Sequence, residues 1–580
     1  MSNRVGKVLL IHPDDHIPPQ KKHAWDLIVD LGRAPAVTYE GWSRKANCKV
    51  VSVFDFAQGT DDLHRTRELL EHGMGRVVDR LGIDWWDVLV QSIVPQLQQL
   101  ICLARLGAEA FSGADIFCTR PHFLATALRR QSGGKLTTLE TARGRLRQMA
   151  SHYASTVGRL DAAQLTQVMQ DKFDPEHAVR SRLAHPLPPS SEPLVLLPSA
   201  YVNVSRTAVA FAAMLPDVPF LLIHIRASGR LEVLPANVRQ ASLDGYFSAV
   251  DLGEWKTLGD ALSRLCRELA FSASELDLAQ ACSVLANLEG RLRWGLAVRD
   301  AWLTLFESQA ITACFCADDS NPYSRLPLII AKQRGVPALA CHHGALDSRM
   351  AIKKSHADFY LAKSEMERDY LVRVCRIAEE HIVTGGLTRT KETQAAPGSS
   401  GWLVFFTEPY HALGWRTNEI YRVLLPKLVT LAQQCGLELV FKLHPFESIS
   451  GHRKTLRHFL DQKAAQKIRV ITGPISAELW QRTACALTVQ STVALECSAR
   501  GIPIFLCGWL ADRSCGYVDQ FHRFGCGRVL RSPAEFEQVP RWIDSWNSAE
   551  LRTPDSWPLD PETLRRMLNG THARPALATA

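Results

Sequence analysis

Short, mainly apolar runs alternate with helix-length segments through most of this 580-residue chain. The clearest runs are residues 437–441, 485–489 and 502–505. Strands that helices cover on both faces have this composition, whereas a strand with one solvent-exposed face alternates apolar and polar residues. We therefore predict an α/β fold built from parallel, doubly wound, Rossmann-like sheets.

The apolar runs also suggest where the chain divides. Strand-like runs at residues 5–11 and 49–54 open it, and helical periodicity then dominates residues 62–170, with one strand at 115–118. Further strands are predicted at residues 194–198, 220–224, 313–316, 337–341, 359–361, 381–384, 402–406, 437–441, 469–471, 485–489 and 502–506. A chain of this length exceeds what one core usually supports, so we expect two Rossmann-like domains facing a cleft. The expected parts are an N-terminal domain at 1–387 with a helical insertion at about 62–185, a linker at 388–401, a C-terminal domain at 402–570 and a disordered tail at 571–580.

The amino-acid composition limits the classes of partner and the cellular compartment that we expect. A formal net charge of +8, from 67 basic and 59 acidic residues, suits anionic ligands but is too dilute to indicate nucleic acid. The 15 cysteines include no C-x-x-C pair and the chain opens without an apolar signal segment, so we expect a cytoplasmic protein. A basic region is the best candidate for peripheral contact with the inner face of a membrane, although an ordinary solvated helix face explains it better. Its residues are Arg129, Arg130, Lys135, Arg143, Arg145 and Arg147.

Polar residues follow the predicted strands of the C-terminal half. His444 stands beyond one strand and before Pro445, and Ser491 and Thr492 stand between another strand and a helix. Imidazole, hydroxyl groups and backbone N–H groups at a sheet edge can bind phosphate, although a Ser-Thr pair is more often only a helix cap. The candidates for nucleotide contact are Lys442, His444, Ser491, Thr492, Glu496 and Glu408. Glu496 lies one helical turn after Thr492, where its carboxylate could accept from ribose hydroxyls.

A second set of polar residues follows strands of the N-terminal half. His343 could act as a general base or a phosphate donor, and Asp319 is a rival base, with Asp14 and Asp15 as weaker ones. Asp318, Asn203 and Arg206, beside Tyr201 and Ser205, are candidates for binding an acceptor or phosphate, although each of them could instead serve as a turn or cap residue. A metal set of Cys314, Cys316, Cys341, His342 and His343 matches no common zinc spacing, so no metal is predicted.

Missing motifs exclude several enzyme classes. The sequence contains no G-x-x-x-x-G-K-[ST], no G-x-G-x-x-G after the first strand and no G-x-S-x-G. This argues against P-loop NTPases, ordinary dinucleotide oxidoreductases and α/β-hydrolases.

The Lys-Leu-His-Pro sequence at 442–445 and the Ser491-Thr492 pair resemble motifs of GT-B glycosyltransferases and polymer transferases of bacterial surface polysaccharides. Within that group the sialyltransferase-like, Kdo-transferase-like and CDP-glycerol glycerophosphotransferase-like enzymes are the most similar. His343-Gly344 looks like the H-G element of the glycerophosphotransferases, whereas Asp318-Asp319-Ser320 only partly matches the acidic-acidic-Gly element of the sialyltransferases.

The resemblance implies an activity and roles for the candidate residues. A sugar or polyol phosphate would move from a CMP-, CDP- or UDP-linked donor to a saccharide or lipid-linked acceptor, in capsule or lipopolysaccharide biosynthesis, without a tightly bound cofactor. His444 with Ser491 and Thr492 would hold the nucleotide phosphates, and His343 or Asp319 would serve the acceptor. Two alternatives stay open: a non-hydrolysing UDP-sugar 2-epimerase, and a catalytically silent nucleotide-binding subunit of a polysaccharide assembly complex.

Overall fold

The computed structural model describes most of the chain, namely residues 5–11, 25–31, 36–58, 60–119, 121–139, 185–225, 229–270, 273–344, 356–386, 401–410, 417–445, 447–511, 517–546 and 559–571. Within these ranges no helix combines the length and the apolar character needed to span a bilayer. The predictions for Asp14, Asp15, Arg143, Arg145 and Arg147, and for nearly all of the linker and tail, lie outside the described residues.

The strands form three sheets in which every strand pair is parallel. The first sheet has five strands in the order β3-β2-β1-β4-β5. Its strands are β1 Lys7–Ile11, β2 Leu27–Asp30, β3 Lys49–Ser52, β4 Asp115–Cys118 and β5 Leu136–Thr138. The strands predicted near the N-terminus thus belong to a small sheet of their own.

The second sheet has seven strands in the order β12-β11-β10-β9-β6-β7-β8. The strands are β6 Ser190–Ser199, β7 Phe220–His224, β8 Val238–Ser242, β9 Gln309–Cys316, β10 Ala338–Cys341, β11 Phe359–Ala362 and β12 Ile382–Thr384. The third sheet has six strands in the order β15-β14-β13-β16-β17-β18. These are β13 Trp402–Phe406, β14 Glu438–Lys442, β15 Arg469–Ile471, β16 Thr483–Thr488, β17 Ile504–Cys507 and β18 Arg528–Leu530.

Helices connect these strands, as parallel pairing requires. In chain order, α1 to α19 are Ala36–Ala46, Thr60–Glu71, Trp85–Val90, Val94–Ala110, Phe123–Ser132, Val202–Ala212, Leu252–Ala270, Ser274–Ala281, Ala286–Ser308, Pro322–Gln333, Glu365–Arg373, Thr417–Gln434, Ile449–Phe459, Gln462–Lys467, Ala477–Arg482, Val493–Ala499, Tyr517–Arg523, Val539–Asp544 and Pro561–Leu568. The central strands, such as β10 and β13, are buried along their whole length. The prediction of an α/β fold with doubly wound, Rossmann-like sheets is confirmed.

The apolar periodicity of residues 276–307 is that of one long helical segment. The structure has two helices there, α8 and α9. Between them Ser283 has a φ of 58°, a left-handed conformation that an α-helix cannot contain. The apolar periodicity continues through the break, so periodicity alone could not reveal it.

The chain forms two compact units. One comprises Met1–Asp62, Gln98–Leu165 and Lys391–Pro554, and contains the five-stranded and six-stranded sheets. The other comprises Leu63–Leu97, Thr166–Thr390 and Asp555–Ala580, and contains the seven-stranded sheet.

Part of the predicted helical region packs in the unit of the seven-stranded sheet. Trp85 of α3 lies against Gly295 of α9, where a Cβ atom would approach the indole Cζ3 to 2.5 Å. The guanidinium of Arg299 is fully buried and donates to Asp79 and Glu254, at 2.7 Å each. Only glycine allows this close helix contact, and the buried charges compensate one another.

The last helix, α19, packs in the same unit. Leu564 and Met567 are buried in the cluster that contains Phe315 of β9 and Leu339 of β10. Arg565 donates to Asp217 at 2.7 Å. The helix therefore covers the central strands that carry the polar residues described next.

Candidate functional site

The strand order of both large sheets changes direction at one place. In the seven-stranded sheet, β7 and β8 lie on one side of β6, whereas β9 to β12 lie on the other. In the six-stranded sheet, β14 and β15 lie on one side of β13, whereas β16 to β18 lie on the other. Ligands of doubly wound sheets bind beyond the carboxyl ends of the strands at such switch points. The candidate residues follow the strands on either side of these points.

At the edge of the seven-stranded sheet, a tyrosine bridges two candidate residues. The Tyr201 hydroxyl, after β6, donates to Asp318 Oδ2, after β9, at 2.9 Å. The same hydroxyl oxygen lies 3.1 Å from His343 Nε2, after β10. The two rings meet edge to face with centroids 5.1 Å apart, and the His343 N–H donates to the Ala317 carbonyl at 3.0 Å. Three strand ends are thus joined in one cluster.

Asp318 is an ionised carboxylate in a buried position, with 1% of its surface exposed. Its Oδ1 accepts from the Ser320 backbone N–H at 2.9 Å and from the Ser320 hydroxyl. Its Oδ2 accepts from Tyr201 and, at 3.5 Å, from the Asn321 amide. Burial alone would raise the pKa of Asp318, but the nearby His343, the Ser320 donors and His342 outweigh it, so the pKa lies below its ordinary value.

Asp319 is fully enclosed. Its Oδ2 accepts from the Tyr360 hydroxyl at 3.2 Å, and its Oδ1 lies 3.9 Å from His342 Nε2. Burial and the neighbouring Asp319 raise the pKa of Tyr360 well above its ordinary value, so this phenol keeps its proton. Because Asp319 is 0% exposed and His343 is only half-buried, His343 is the better placed of the two predicted bases.

One group of potential metal ligands exists in this cluster. Ligand atoms of Asp318, Asp319 and His342 lie within 4.8 Å of one another. However, a carboxylate offers about four lone-pair positions, and those of Asp318 already accept four donors. The arrangement therefore fits hydrogen bonding better than cation binding. The thiols of Cys314 and Cys316 have pKa values raised by burial, which disfavours the thiolates that a metal would require.

The remaining candidates of this half lie on α6. Arg206 is exposed and Asn203 is half-buried in the first turn. The Ser205 hydroxyl donates to the Gly229 carbonyl and lies 2.6 Å from the Ser199 hydroxyl, which indicates a structural role. Among the hydrogen bonds of the described residues, Asn203 and Arg206 make none to Asp318 or His343.

The edge of the six-stranded sheet holds His444 through its backbone. The His444 N–H donates to Thr407 Oγ1 at 3.0 Å and to Glu447 Oε2 at 3.1 Å, and the Thr407 hydroxyl donates to the same Glu447 oxygen. Lys442, which is mostly buried, donates from Nζ to the Leu443 carbonyl at 2.9 Å. The sequence analysis missed Thr407 and Glu447; their signal is their position directly after β13 and three residues after His444.

Glu408 lies beneath the loop that carries Ser491. Its Oε1 accepts from the Gln490 N–H at 2.8 Å and lies 3.3 Å from Thr488 Oγ1. Burial raises the pKa of Glu408 to about 7, and the negative charge of Glu447 adds to the rise. This carboxyl is therefore neutral in a large share of molecules near neutral pH.

Ser491 and Thr492 lead into α16, as predicted. The Ser491 hydroxyl accepts from the Val493 N–H at 3.4 Å, the ordinary arrangement of a cap, whereas the Thr492 side chain caps no N–H group. Glu496 lies in the first turn of α16, half-buried like Ser491 and Thr492. All three follow the carboxyl end of β16.

No protein-family model matches the chain, and no curated protein matches it. Solved structures match at low similarity. UDP-GlcNAc 2-epimerase from Methanocaldococcus jannaschii has a TM-score of 0.40 and 10% identity, over 65% of this chain and 99% of the other. The wall teichoic acid polymerase TagF has a TM-score of 0.38 and 9% identity, over 73% and 97%. MnaA of S. aureus with UDP has a TM-score of 0.38 and 9% identity, over 65% and 95%. Similarities of this size identify neither a family nor a function for the chain.

Proposed function

We propose that the protein is a GT-B type transferase that moves a sugar or polyol phosphate from a nucleotide-activated donor to an acceptor hydroxyl. One observation carries the proposal. Residues singled out from motifs in the sequence lie beyond the strands that flank the switch points of two separate doubly wound sheets. These are the places where such sheets bind nucleotides and related ligands.

The edge of the six-stranded sheet is the proposed donor half. The His444 imidazole, the Ser491 and Thr492 hydroxyls and the Lys442 ammonium can donate to phosphate oxygens, and Glu496 can accept from a ribose. The Lys442 ammonium is held at this edge by its hydrogen bond to the Leu443 carbonyl. Since these groups are positive or polar, they stabilise the charge that develops on the departing phosphate.

The raised pKa of Glu408 supports the same assignment. An ionised carboxylate under the loop at 489–492 would repel a nucleotide phosphate bound above it. With a pKa of about 7, Glu408 takes up a proton readily and removes that repulsion. Its bond to the Gln490 N–H then positions the loop without opposing the ligand.

The edge of the seven-stranded sheet is the proposed acceptor half. His343 is the base that takes the proton of the acceptor hydroxyl, while Asp318 provides a fixed negative charge nearby. Asn203 and Arg206 on α6 are proposed acceptor contacts.

A thermal-shift panel with CMP, CDP, UDP and GDP tests the donor half on the full chain. A nucleotide that binds only the folded protein adds about 2.7 kcal/mol of stability at a concentration one hundred times its dissociation constant, which raises the melting temperature. We expect the cytidine or uridine nucleotides to do so and GDP to do less. If none of the four nucleotides changes the melting temperature, the donor half is wrong.

Nucleotide release from the matching donor, with and without hydroxyl acceptors, tests the reaction. His444→Ala should lose at least about a hundredfold in turnover while melting within a few degrees of the wild type. His458→Ala, on the exposed face of α13 in the same unit, is the matched control and should retain full turnover. Full turnover in His444→Ala contradicts the role. Isomerised donor without acceptor would identify an epimerase, and binding without any turnover would identify a silent subunit.

A further inference from the structure

We infer that Tyr201 is a positioning residue that fixes which nitrogen of His343 carries a proton, with Asp318 as the anchor of the arrangement. The inference rests on the proposed function only in that it makes His343 the base for the acceptor. The role of Tyr201 is inferred from contacts among three side chains that no motif in the sequence connects. Tyr201 Oη lies between the other two atoms, 2.9 Å from Asp318 Oδ2 and 3.1 Å from His343 Nε2.

Counting protons sets the direction of these hydrogen bonds. A phenol has a single proton to give. Asp318 is ionised and can only accept, and its Oδ1 already accepts from the backbone N–H and the hydroxyl of Ser320. Tyr201 therefore gives its proton to Asp318 Oδ2. The hydroxyl oxygen is then left as an acceptor, so His343 must donate to it from Nε2.

The direction of the bonds selects one form of His343. In the neutral ring, the proton sits on Nε2 and the basic lone pair on Nδ1. When Nδ1 takes up a proton, the resulting cation keeps its Nε2–H bond to Tyr201, and the charge of Asp318 stabilises it through the shared hydroxyl. The edge-to-face contact with Tyr201 restricts rotation of the imidazole, and the bond from the His343 backbone N–H to the Ala317 carbonyl fixes the main chain that carries it.

The proton and electron balance of the proposed transfer follows. The acceptor O–H bond breaks, and its proton goes to His343 Nδ1. The acceptor oxygen forms a bond to the electrophilic atom of the donor, and the bond from that atom to the nucleotide phosphate breaks. The electron pair leaves with the nucleotide. His343 Nδ1 has no exposed surface in the structure, so the side chains around it must shift before the acceptor hydroxyl can reach it.

Asp318→Asn gives a sharp test because it should reverse the bonds. The Ser320 N–H cannot rotate away, so the amide oxygen of the new side chain faces it and the amide nitrogen faces Tyr201. Tyr201 then accepts from the amide and donates to His343 Nε2. We expect the neutral ring of His343 to change from the Nε2–H form to the Nδ1–H form.

The measurement is nitrogen NMR of the full chain labelled with ¹⁵N-histidine. Among the 20 histidines, His343 is assigned as the signal that His343→Gln lacks. Wild-type protein should show the Nε2–H form and Asp318→Asn the Nδ1–H form. In Tyr201→Phe the Nε2 signal of His343 should lose the chemical-shift change that its hydrogen bond causes. This variant is also the test if Asp318→Asn does not fold. Tyr246→Phe, which removes another buried phenol hydroxyl of the same unit, is the control and should change nothing.

Turnover gives the second readout. Tyr201→Phe and Asp318→Asn should lower kcat at least about tenfold and leave KM within about twofold, as expected when a base is held in the wrong protonated form. An Nδ1–H form in wild-type protein, or an unchanged form in Asp318→Asn, overturns the inference. The expected NMR result in a protein without turnover would leave the inference standing and contradict the proposed function instead.

Discussion

The two sheet edges carry buried carboxyl groups beside their switch points, and the pKa values of these groups are shifted in opposite directions. Asp318 and Glu408 each follow a strand at a switch point, and both are buried. The pKa of Asp318 is lowered and that of Glu408 is raised to about 7. Burial pushes both pKa values upward, so the neighbours decide the difference: Asp318 has His343, His342 and the Ser320 donors beside it, whereas Glu408 has the like charge of Glu447.

This contrast assigns different tasks to the two edges. A carboxylate that stays ionised can support a base and the cation that the base becomes, which suits the edge with His343. A carboxyl group that becomes neutral can lie under a site for an anionic phosphate without repelling it.

The largest effect should come from Asp318→Asn. The new amide nitrogen cannot accept from the Asn321 amide, and the change removes a charge that His343 compensates. We expect the free energy of unfolding to fall by about 3 kcal/mol. Urea unfolding followed by tryptophan fluorescence measures it, with Asp260→Asn, on the exposed face of α7, as the control. A loss below about 1 kcal/mol would mean that Asp318 is not the anchor of its edge.

The corresponding substitution of Glu408 by glutamine should increase, rather than decrease, the free energy of unfolding above neutral pH. Because the folded state raises the pKa of Glu408 from 4.5 to about 7, its stabilising effect is complete below pH 4.5 and is lost as the pH rises to about 7. The lost part corresponds to about 3 kcal/mol. At pH 8, Glu408→Gln should therefore be more stable than the wild type by up to about that amount, and at pH 4 nearly equal to it.

Urea midpoints at pH 4, 6 and 8 test this sign. Glu478→Gln, on the exposed face of α15 in the same unit, is the matched control and should follow the wild type at each pH. If Glu408→Gln lowers stability equally at all three pH values, Glu408 is an ordinary ionised carboxylate and the contrast between the edges disappears.

Local apolarity explains which parts of the fold could be predicted. The strands Asp115–Cys118, Phe220–His224, Trp402–Phe406 and Arg469–Ile471 have the predicted bounds. The sequence analysis missed β2, β5, β8 and β18, of which the last three lie at the edges of their sheets. Edge strands are short and partly polar, as in Val238–Ser242, so they do not stand out from loops. The packing of α19 against β9 and β10 joins residues more than 200 positions apart, which no local pattern encodes.

The candidate sites show the same limit. Strand ends predict that His343, Asp318 and Tyr201 lie at one sheet edge, since parallel strands bring their carboxyl ends together. They do not predict that Tyr201 joins the other two, because this depends on side-chain directions set by packing. Likewise, the sequence indicated Glu408 as a ligand contact, but its raised pKa depends first on burial and then on Glu447, a residue that no motif connects to it.

Glu447→Gln should lower the pKa of Glu408 slightly and so reduce the difference in pKa behaviour between the two sheet edges. Its effect should be smaller than that of Glu408→Gln. Burial is the main cause of the raised pKa of Glu408, and the charge of Glu447 contributes less. The glutamine oxygen can still accept from His444 and Thr407, so the backbone of the edge should keep its place. We expect the pH dependence of stability that Glu408 causes to move to lower pH, with a gain of about 1 kcal/mol or less at pH 7. No movement in the pH profile would show that burial alone sets the pKa.

Tyr360→Phe should have the smallest effect and separates the two adjacent aspartates. The change removes one neutral hydrogen bond to Asp319 Oδ2 and leaves the bonds of Asp318 intact. We expect a loss of about 1 kcal/mol in the free energy of unfolding and an unchanged NMR signal of His343. The matched comparison is Tyr201→Phe, which also removes one phenol hydroxyl but should alter that signal. If both variants alter it equally, Asp319 is coupled to His343 as strongly as Asp318 is, and the base is held by both carboxylates together.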